Sequence, residues 1–216
     1  VTGPKTNPPG GSGERSGVPG TLLVIDGPSA SGKSTIVRGL LGLPDLHFDL
    51  VKRYTTRLRR KSDNDDDLYE FVEHPEFKRL VGEGFFLEHK CYKFGMCYGL
   101  PAGEAKESLR KGNHAIAMIN LGNITAVKSV LPDAYGVFIS ASLETIRERL
   151  MARKTHPPGQ IEERLGNAAD SRRFEPLYDL VVANEKRSVE DVVEEIKNRF
   201  LSHVRTFSAR PEGSGG

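Results

Sequence analysis

The sequence predicts an α/β fold in three layers, a parallel sheet between helices, carrying one inserted subdomain and a helical lid. Three observations predict it. Buried-strand signals alternate with helix signals along most of the chain, a glycine-bracketed loop follows the first strand, and the stretch from Asp49 to Pro101 breaks the alternation.

Taken in order, "TLLVID" is a short apolar run and reads as a buried strand, and "SGKSTIVRGLL" after it starts a helix. The Asp49–Pro101 stretch is basic first ("VKRYTTRLRRK"), then acidic ("DNDDD"), then aromatic-rich, with a helix at "HPEFKRLVGEG". A polar helix, "GEAKESLRKG", leads to a second buried strand, "HAIAMIN"; "NITAVKSVL" is a helix and "AYGVFIS" a third strand. Ser142 opens the helix "SLETIRERLMARK", with Glu144 in its first turn. The segment "QIEERLGNAADSRRF" is a further helix, "YDLVVAN" a fourth strand, and "SVEDVVEEIKNRFLSHV" a closing amphipathic helix. Strands alternating with helices place ligands at the C-terminal ends of the strands.

The length of 216 residues suits one domain, drawn here at 21–204, with the insert at about 49–101 and the lid at about 150–165. Residues 1–20 and 205–216 are Gly, Pro, Ser and charge, too poor in apolar groups to offset ordering entropy, so disordered tails are expected. Charged residues make up 28% and apolar ones 37%, ordinary for a soluble globular protein. The net charge of +2 is too small to argue for nucleic acid or a membrane surface, so any basic preference is local, and neither is expected as a partner. No apolar run approaches a membrane span, and the first residues hold no apolar stretch of the kind a signal peptide needs. The two cysteines, Cys91 and Cys97, make no disulfide framework. The expectation is a cytoplasmic protein, monomer or homodimer, acting on a small molecule.

The loop Gly27-Pro28-Ser29-Ala30-Ser31-Gly32-Lys33-Ser34-Thr35 satisfies the phosphate-binding pattern G-x-x-x-x-G-K-[ST], between a strand and a helix as that pattern requires. Its glycines let backbone N–H groups turn inward, and the helix N-terminus adds positive potential. Lys33 is placed to reach the β- and γ-phosphates of a nucleoside triphosphate, and the Ser34 hydroxyl to ligate Mg²⁺. Asp26, directly before the loop, either holds a magnesium-bound water or caps the turn. The strand "HAIAMIN" ends on Met118 and Asn120 rather than on an acid, so Mg²⁺ rests mostly on Ser34, phosphate oxygens and water.

"RYTTRLRR" sets Arg53, Arg57, Arg59 and Arg60 close together, followed by Tyr69 and Tyr98. Guanidinium forks bind phosphate bidentately, and a tyrosine hydroxyl adds a directional hydrogen bond. After a phosphate-binding loop, such a run reads as a second phosphate site, the grip on an acceptor.

The order of motifs over about residues 22–200 resembles that of guanylate kinases, P-loop NTPase-type kinases. The chain carries GPSASGKS, Thr55-Thr56-Arg57-x-x-Arg60, Leu68-Tyr69-Glu70-Phe71-Val72, Phe86-Leu87-Glu88, Cys97-Tyr98-Gly99, Arg149-x-x-x-Arg153, Arg164 and Val182-Ala183-Asn184. The resemblance implies that ATP donates its γ-phosphate to the phosphate of a small phosphorylated acceptor, a nucleoside monophosphate of the GMP or dGMP kind. It implies that Arg57, Arg60, Tyr69 and Tyr98 hold the acceptor's phosphate. Glu88 would then face guanine's N1 and N2 edge, Arg153 and Arg164 close over the transferring group, and Asn184 lie beside adenine.

The chain also departs from that family. Leu100 stands where the family reads guanine with a serine or threonine, Met118 replaces an aspartate, and Arg53 replaces a serine that joins the acceptor-phosphate site. Lost polar groups weaken the rejection of wrong bases, whereas the phosphate grip gains a charge. "RYTTR" is also similar to the "RY-x-TR" of ribose 1,5-bisphosphokinases, so a sugar-phosphate acceptor is an alternative. A non-catalytic binding module of the same fold is another, though such modules typically lose the loop lysine that Lys33 keeps here.

The Pro-Pro-Gly break in "RERLMARKTHPPGQIEERL" suits a mobile lid that delivers cations on closure. His89, Cys91 and Cys97 fit no tight zinc spacing and read as ordinary pocket or core residues.

Overall fold

The computed structural model describes residues 20–59, 67–92, 95–119, 122–152 and 158–208. The chain opens with β1 (Leu22–Asp26), α1 (Lys33–Leu41), β2 (Phe48–Leu50), β3 (Arg53–Thr55) and β4 (Tyr69–Phe71). It continues through α2 (His74–Gly82), β5 (Phe86–Cys91), β6 (Cys97–Pro101), α3 (Ala102–Arg110), β7 (His114–Met118) and α4 (Ile124–Val130). Last come β8 (Tyr135–Ser140), α5 (Leu143–Ala152), α6 (Pro158–Ser171), a 3-10 segment (Arg172–Leu177), β9 (Leu180–Ala183) and α7 (Val189–Ser208).

Five strands form the central sheet in the order β2-β7-β1-β8-β9, and every pairing in it is parallel. The two-residue side-chain period of a strand divides the core between the sheet's faces. Leu23 and Ile25 of β1 point toward Ile36, Val37 and Leu40 of α1 and toward Val192, Ile196 and Phe200 of α7. Leu22 and Val24 point the other way, onto Ala105 of α3 and Ile124 and Val127 of α4. All five residues of β1 are buried, so each apolar one contributes about 1.5–3 kcal/mol of burial. The three layers expected from the alternation are therefore present.

The insert is a second sheet of four strands, β4-β3-β6-β5, mixed in direction. Strand β2, at the head of the predicted insert, belongs instead to the central sheet, where Asp49 pairs with Ala115. It is too short to stand out as a periodic run. Helix α7 continues to Ser208, past the predicted boundary at 204, because its apolar stripe still packs Leu201 and Val204 on the core.

One expectation is corrected. Cys91 and Cys97 are not separate thiols but a disulfide, with their Cα atoms 4.0 Å apart. The antiparallel register of β5 and β6 sets the two directly opposite, a pairing that their spacing alone does not reveal. No helix among the described residues is long and apolar enough to cross a membrane.

Candidate active site

A cavity of about 810 Å³ opens where the central strands end, lined by the loop after β1, by the insert sheet and by α6. Lys33 begins α1, and its ammonium donates to the carbonyls of Gly27 at 2.6 Å and Pro28 at 2.8 Å, inside the loop. The glycines are required by geometry. Gly27 holds φ at +141° with the Ile139 carbonyl where a Cβ would go, and Gly32 holds +103° against the Asn184 amide. Ala30, at φ +65°, takes the left-handed conformation with a Cβ present, at a cost of about 1–2 kcal/mol.

What holds that shape is an outer clamp. Arg149 of α5 donates to the carbonyls of Ala30 (3.3 Å) and Ser31 (3.1 Å) with one nitrogen, and to that of Asn184 (2.9 Å) with another. The Asn184 amide in turn donates to the Ser31 carbonyl at 2.7 Å. Asn184, expected beside an adenine, is thus also a brace of the loop.

Asp26 is fully buried, and its carboxylate accepts from the Gly27 N–H (2.6 Å), the Gly122 N–H (3.2 Å) and the Tyr178 hydroxyl. Of the two roles open to it, the turn-capping one matches this geometry. Burial raises its pKa despite the hydrogen bonds and Lys33, which oppose the shift. A carboxyl with a raised folded pKa favours the fold below the ordinary carboxylate range and loses that contribution as pH rises through the raised value. Asp26→Asn is therefore expected to gain stability relative to wild type as pH rises above the ordinary carboxylate range, measured by urea unfolding. A difference between the two proteins that does not vary with pH would contradict burial as the dominant cause.

The registers of the insert sheet bring together residues expected to hold the acceptor. Arg53 pairs with Tyr69 across β3 and β4, and Thr55 pairs with Tyr98 across β3 and β6. Thr55 Oγ1 donates to the Cys97 carbonyl (3.0 Å) and accepts from the Arg57 N–H (3.1 Å), while Thr56 Oγ1 accepts from the Cys97 N–H (2.8 Å). The two threonines thereby fix the backbone that aims Arg57. Its guanidinium lies over Tyr69 at 5.5 Å and Phe71 at 5.2 Å, and that of Arg53 lies over Tyr98 at 4.9 Å. Tyr69 and Tyr98 meet edge to face at 6.4 Å, so both cations are stacked on one aromatic pair.

Glu88 is buried on β5, its Oε2 accepting from Asn123 Nδ2 at 2.6 Å and its Oε1 standing 3.8 Å from Arg53 Nη2. Leu100 pairs with Glu88 across β5 and β6, but its side chain is fully buried in the core beneath α3 and α4. Met118 is likewise core, on the α1 and α7 face. Neither lines the cavity.

From the far side, Arg164 of α6 reaches across to donate to Ser29 Oγ at 3.0 Å. Ser29, Ala30, Gly32, Ser34 and Thr35 line the same cavity, as do Arg53, Arg57, Tyr69, Tyr98 and Arg164. Ser31 is buried within the loop. Arg60 and Arg153 lie outside the described residues, as does Asn120.

Four contributors were not legible. Tyr178 meets Asp26 across 152 residues of sequence, and Asn123 meets Glu88 across 35. Arg173 lines the cavity from the 3-10 segment, its place hidden in what reads as the tail of a helix. Tyr92 lines it too, and burial pushes its hydroxyl up to about 12, so it remains a neutral donor. Among the described residues, no group of three His, Cys, Asp or Glu could hold a metal ion, and Ser34 lines the cavity beside the loop lysine.

A family model described as "Guanylate kinase" matches residues 19–203. The chain is 38% identical over 168 residues to a guanylate kinase of Symbiobacterium thermophilum, covering 77% of this chain and 78% of that protein. It is 35% identical over 179 residues to a guanylate kinase of Rubrobacter xylanophilus, covering 81% of this chain and 92% of that protein. The crystal structure of guanylate kinase from Anaplasma phagocytophilum matches with a TM-score of 0.68 at 26% identity, over 89% of this chain and 88% of that one.

Proposed function

The chain belongs to the guanylate kinase family, and from that premise we propose that it transfers the γ-phosphoryl group of ATP to the phosphate of a nucleoside monophosphate of the GMP or dGMP kind. It is an ATP-dependent kinase whose acceptor group is itself a phosphate.

One observation carries the reading: two separate cationic grips face the same cavity. Lys33 and the α1 N-terminus stand on one side, and Arg57 with Tyr69 and Tyr98 stands on the other. A hydrolase would need the first grip alone. An enzyme that joins two phosphates needs both, held apart until each is charged with its own ligand.

In this reading Lys33, the loop N–H groups and the α1 dipole bind the triphosphate of ATP. Arg57, Tyr69 and Tyr98 orient the acceptor's phosphate for in-line attack on the γ-phosphorus, with Arg60 beside them by family resemblance. The nucleophile is already an anion, so no general base is needed, and positioning with charge neutralisation carries the rate. Arg164, joined on the same resemblance by Arg153, spreads the charge that develops on the transferring group. The Ser34 hydroxyl would hold Mg²⁺ together with phosphate oxygens of the nucleotide, and the bound ion would supply charge neutralisation on the donor. Arg149 and Asn184 keep the loop in its binding shape.

Supplying radiolabelled ATP with either GMP or guanosine tests the reading. GMP is expected to yield a nucleoside diphosphate and ADP in equal amounts, and guanosine no labelled product. Label on a guanosine hydroxyl, or ADP release equal in both tubes, would contradict it.

A further inference from the structure

Arg53 is a buried cation with an unusual set of neighbours. It is 5% exposed, yet its Nε and Nη2 make no hydrogen bond among the described residues. Buried donors are normally paired, so two unsatisfied ones on a single side chain that lines a cavity point to a ligand. Nε–H and the adjacent Nη2–H form one face of the guanidinium fork, which matches two neighbouring acceptors. Nη2 also stands 3.8 Å from Glu88 Oε1, beyond hydrogen-bond range but side by side with it. Tyr98, under the guanidinium at 4.9 Å, holds it in place.

Fork and carboxylate together present two donors and then an acceptor. A phosphate drawn to this fork would lie against the Glu88 carboxylate, an unfavourable neighbour. Arg57, with its aromatic pair, already supplies a phosphate station free of that carboxylate. A 6-oxopurine presents the complement: N7 and O6 as neighbouring acceptors, with the N1–H donor next to O6. Adenine puts an amino donor in place of O6, and pyrimidines have no N7.

We propose that Arg53 is a specificity-determining residue that donates to O6 and N7 of a 6-oxopurine acceptor while Glu88 accepts from its N1–H. The inference rests on the nucleoside monophosphate reading above and reassigns Arg53 from the acceptor's phosphate to its base. It also explains how base reading persists with Leu100 and Met118 in the core. The donor lost from the pocket wall is supplied from β3.

Steady-state kinetics with GMP, 7-deaza-GMP and AMP, on wild type and on Arg53→Met, test it. In wild type, 7-deaza-GMP, which lacks only the N7 acceptor, is expected to lose about 10-fold or more in kcat/KM relative to GMP. In Arg53→Met, kcat/KM for GMP is expected to fall ~100-fold, the penalty for 7-deaza-GMP to vanish, and the low value for AMP to stay within about 3-fold. Equal use of GMP and 7-deaza-GMP by wild type would overturn the proposal, and that arm stands even if the variant does not fold. An equal loss on GMP and AMP would also overturn it, by returning Arg53 to the phosphate. Failure of wild type to use GMP at all would instead overturn the kinase reading on which the proposal rests.

Discussion

Lys33→Ala is expected to lower kcat by ~10³-fold, the range found when a preorganised cationic or hydrogen-bond donor is removed from a charge-developing centre. The side chain donates to the Gly27 and Pro28 carbonyls of the loop it sits in. Thermal unfolding of the variant, measured beside its kinetics, separates a loss of rate from a loss of fold. Lys33→Arg should not rescue, because the wider fork does not fit a loop closed by Gly27 and Gly32. A variant that kept kcat within tenfold would show that the loop does not bind the reacting phosphates.

The second large effect is expected at Arg57. Arg57→Ala should raise KM for the acceptor and lower kcat/KM by ~10²- to 10³-fold, as the loss of a desolvated bidentate phosphate ligand does. The KM for ATP should hardly move, since Arg57 follows β3 of the insert sheet and Lys33 begins α1. Some stability should also be lost, about 1–2 kcal/mol, because the guanidinium packs on both Tyr69 and Phe71. Equal increases in both KM values would place Arg57 in the fold's support rather than in the acceptor grip.

These two predictions draw on parts of the site that differ in how well the sequence reveals them. The phosphate loop is contiguous, and its glycines, lysine and hydroxyl are fixed by local backbone geometry, so reading Gly27–Thr35 is enough to place it. Of the four apolar runs, those of β1, β7 and β8 declare their strands for a similar reason: each is buried on both faces and shows as an unbroken stretch. The acceptor grip is less local. Arg53, Tyr69 and Tyr98 come from three strands of the insert sheet and Arg57 from just after the first of them, so the sequence offered the run and the family order but not their registers. Contacts set by distant parts of the chain were not legible. Tyr178 on Asp26, Asn123 on Glu88 and the Cys91–Cys97 bridge all depend on register or on the packing of segments far apart in sequence. Arg53 shows the difference most sharply. As a letter in "RYTTRLRR" it is one more positive charge for a phosphate, whereas in the fold it stands beside a carboxylate with two unsatisfied donors.

Leu100 and Met118 illustrate the opposite error. Alignment with the family's polar residues made them look like pocket positions, but both are buried among apolar neighbours. An apolar residue on a strand that borders a site can face either way, and period-two alternation sends these two into the core.

The central claim, that one cavity joins a donor triphosphate to an acceptor phosphate, is tested most directly by following label from [γ-³²P]ATP. Acceptors would be GMP, dGMP, AMP, CMP, UMP and ribose 1,5-bisphosphate, each given to wild type and to Lys33→Ala. The predicted result is label on the β-phosphate of GDP and dGDP, well above the other acceptors, and formed ~10³-fold more slowly by Lys33→Ala. Label appearing only in inorganic phosphate, or transfer to every acceptor at the Lys33→Ala background, would contradict the account.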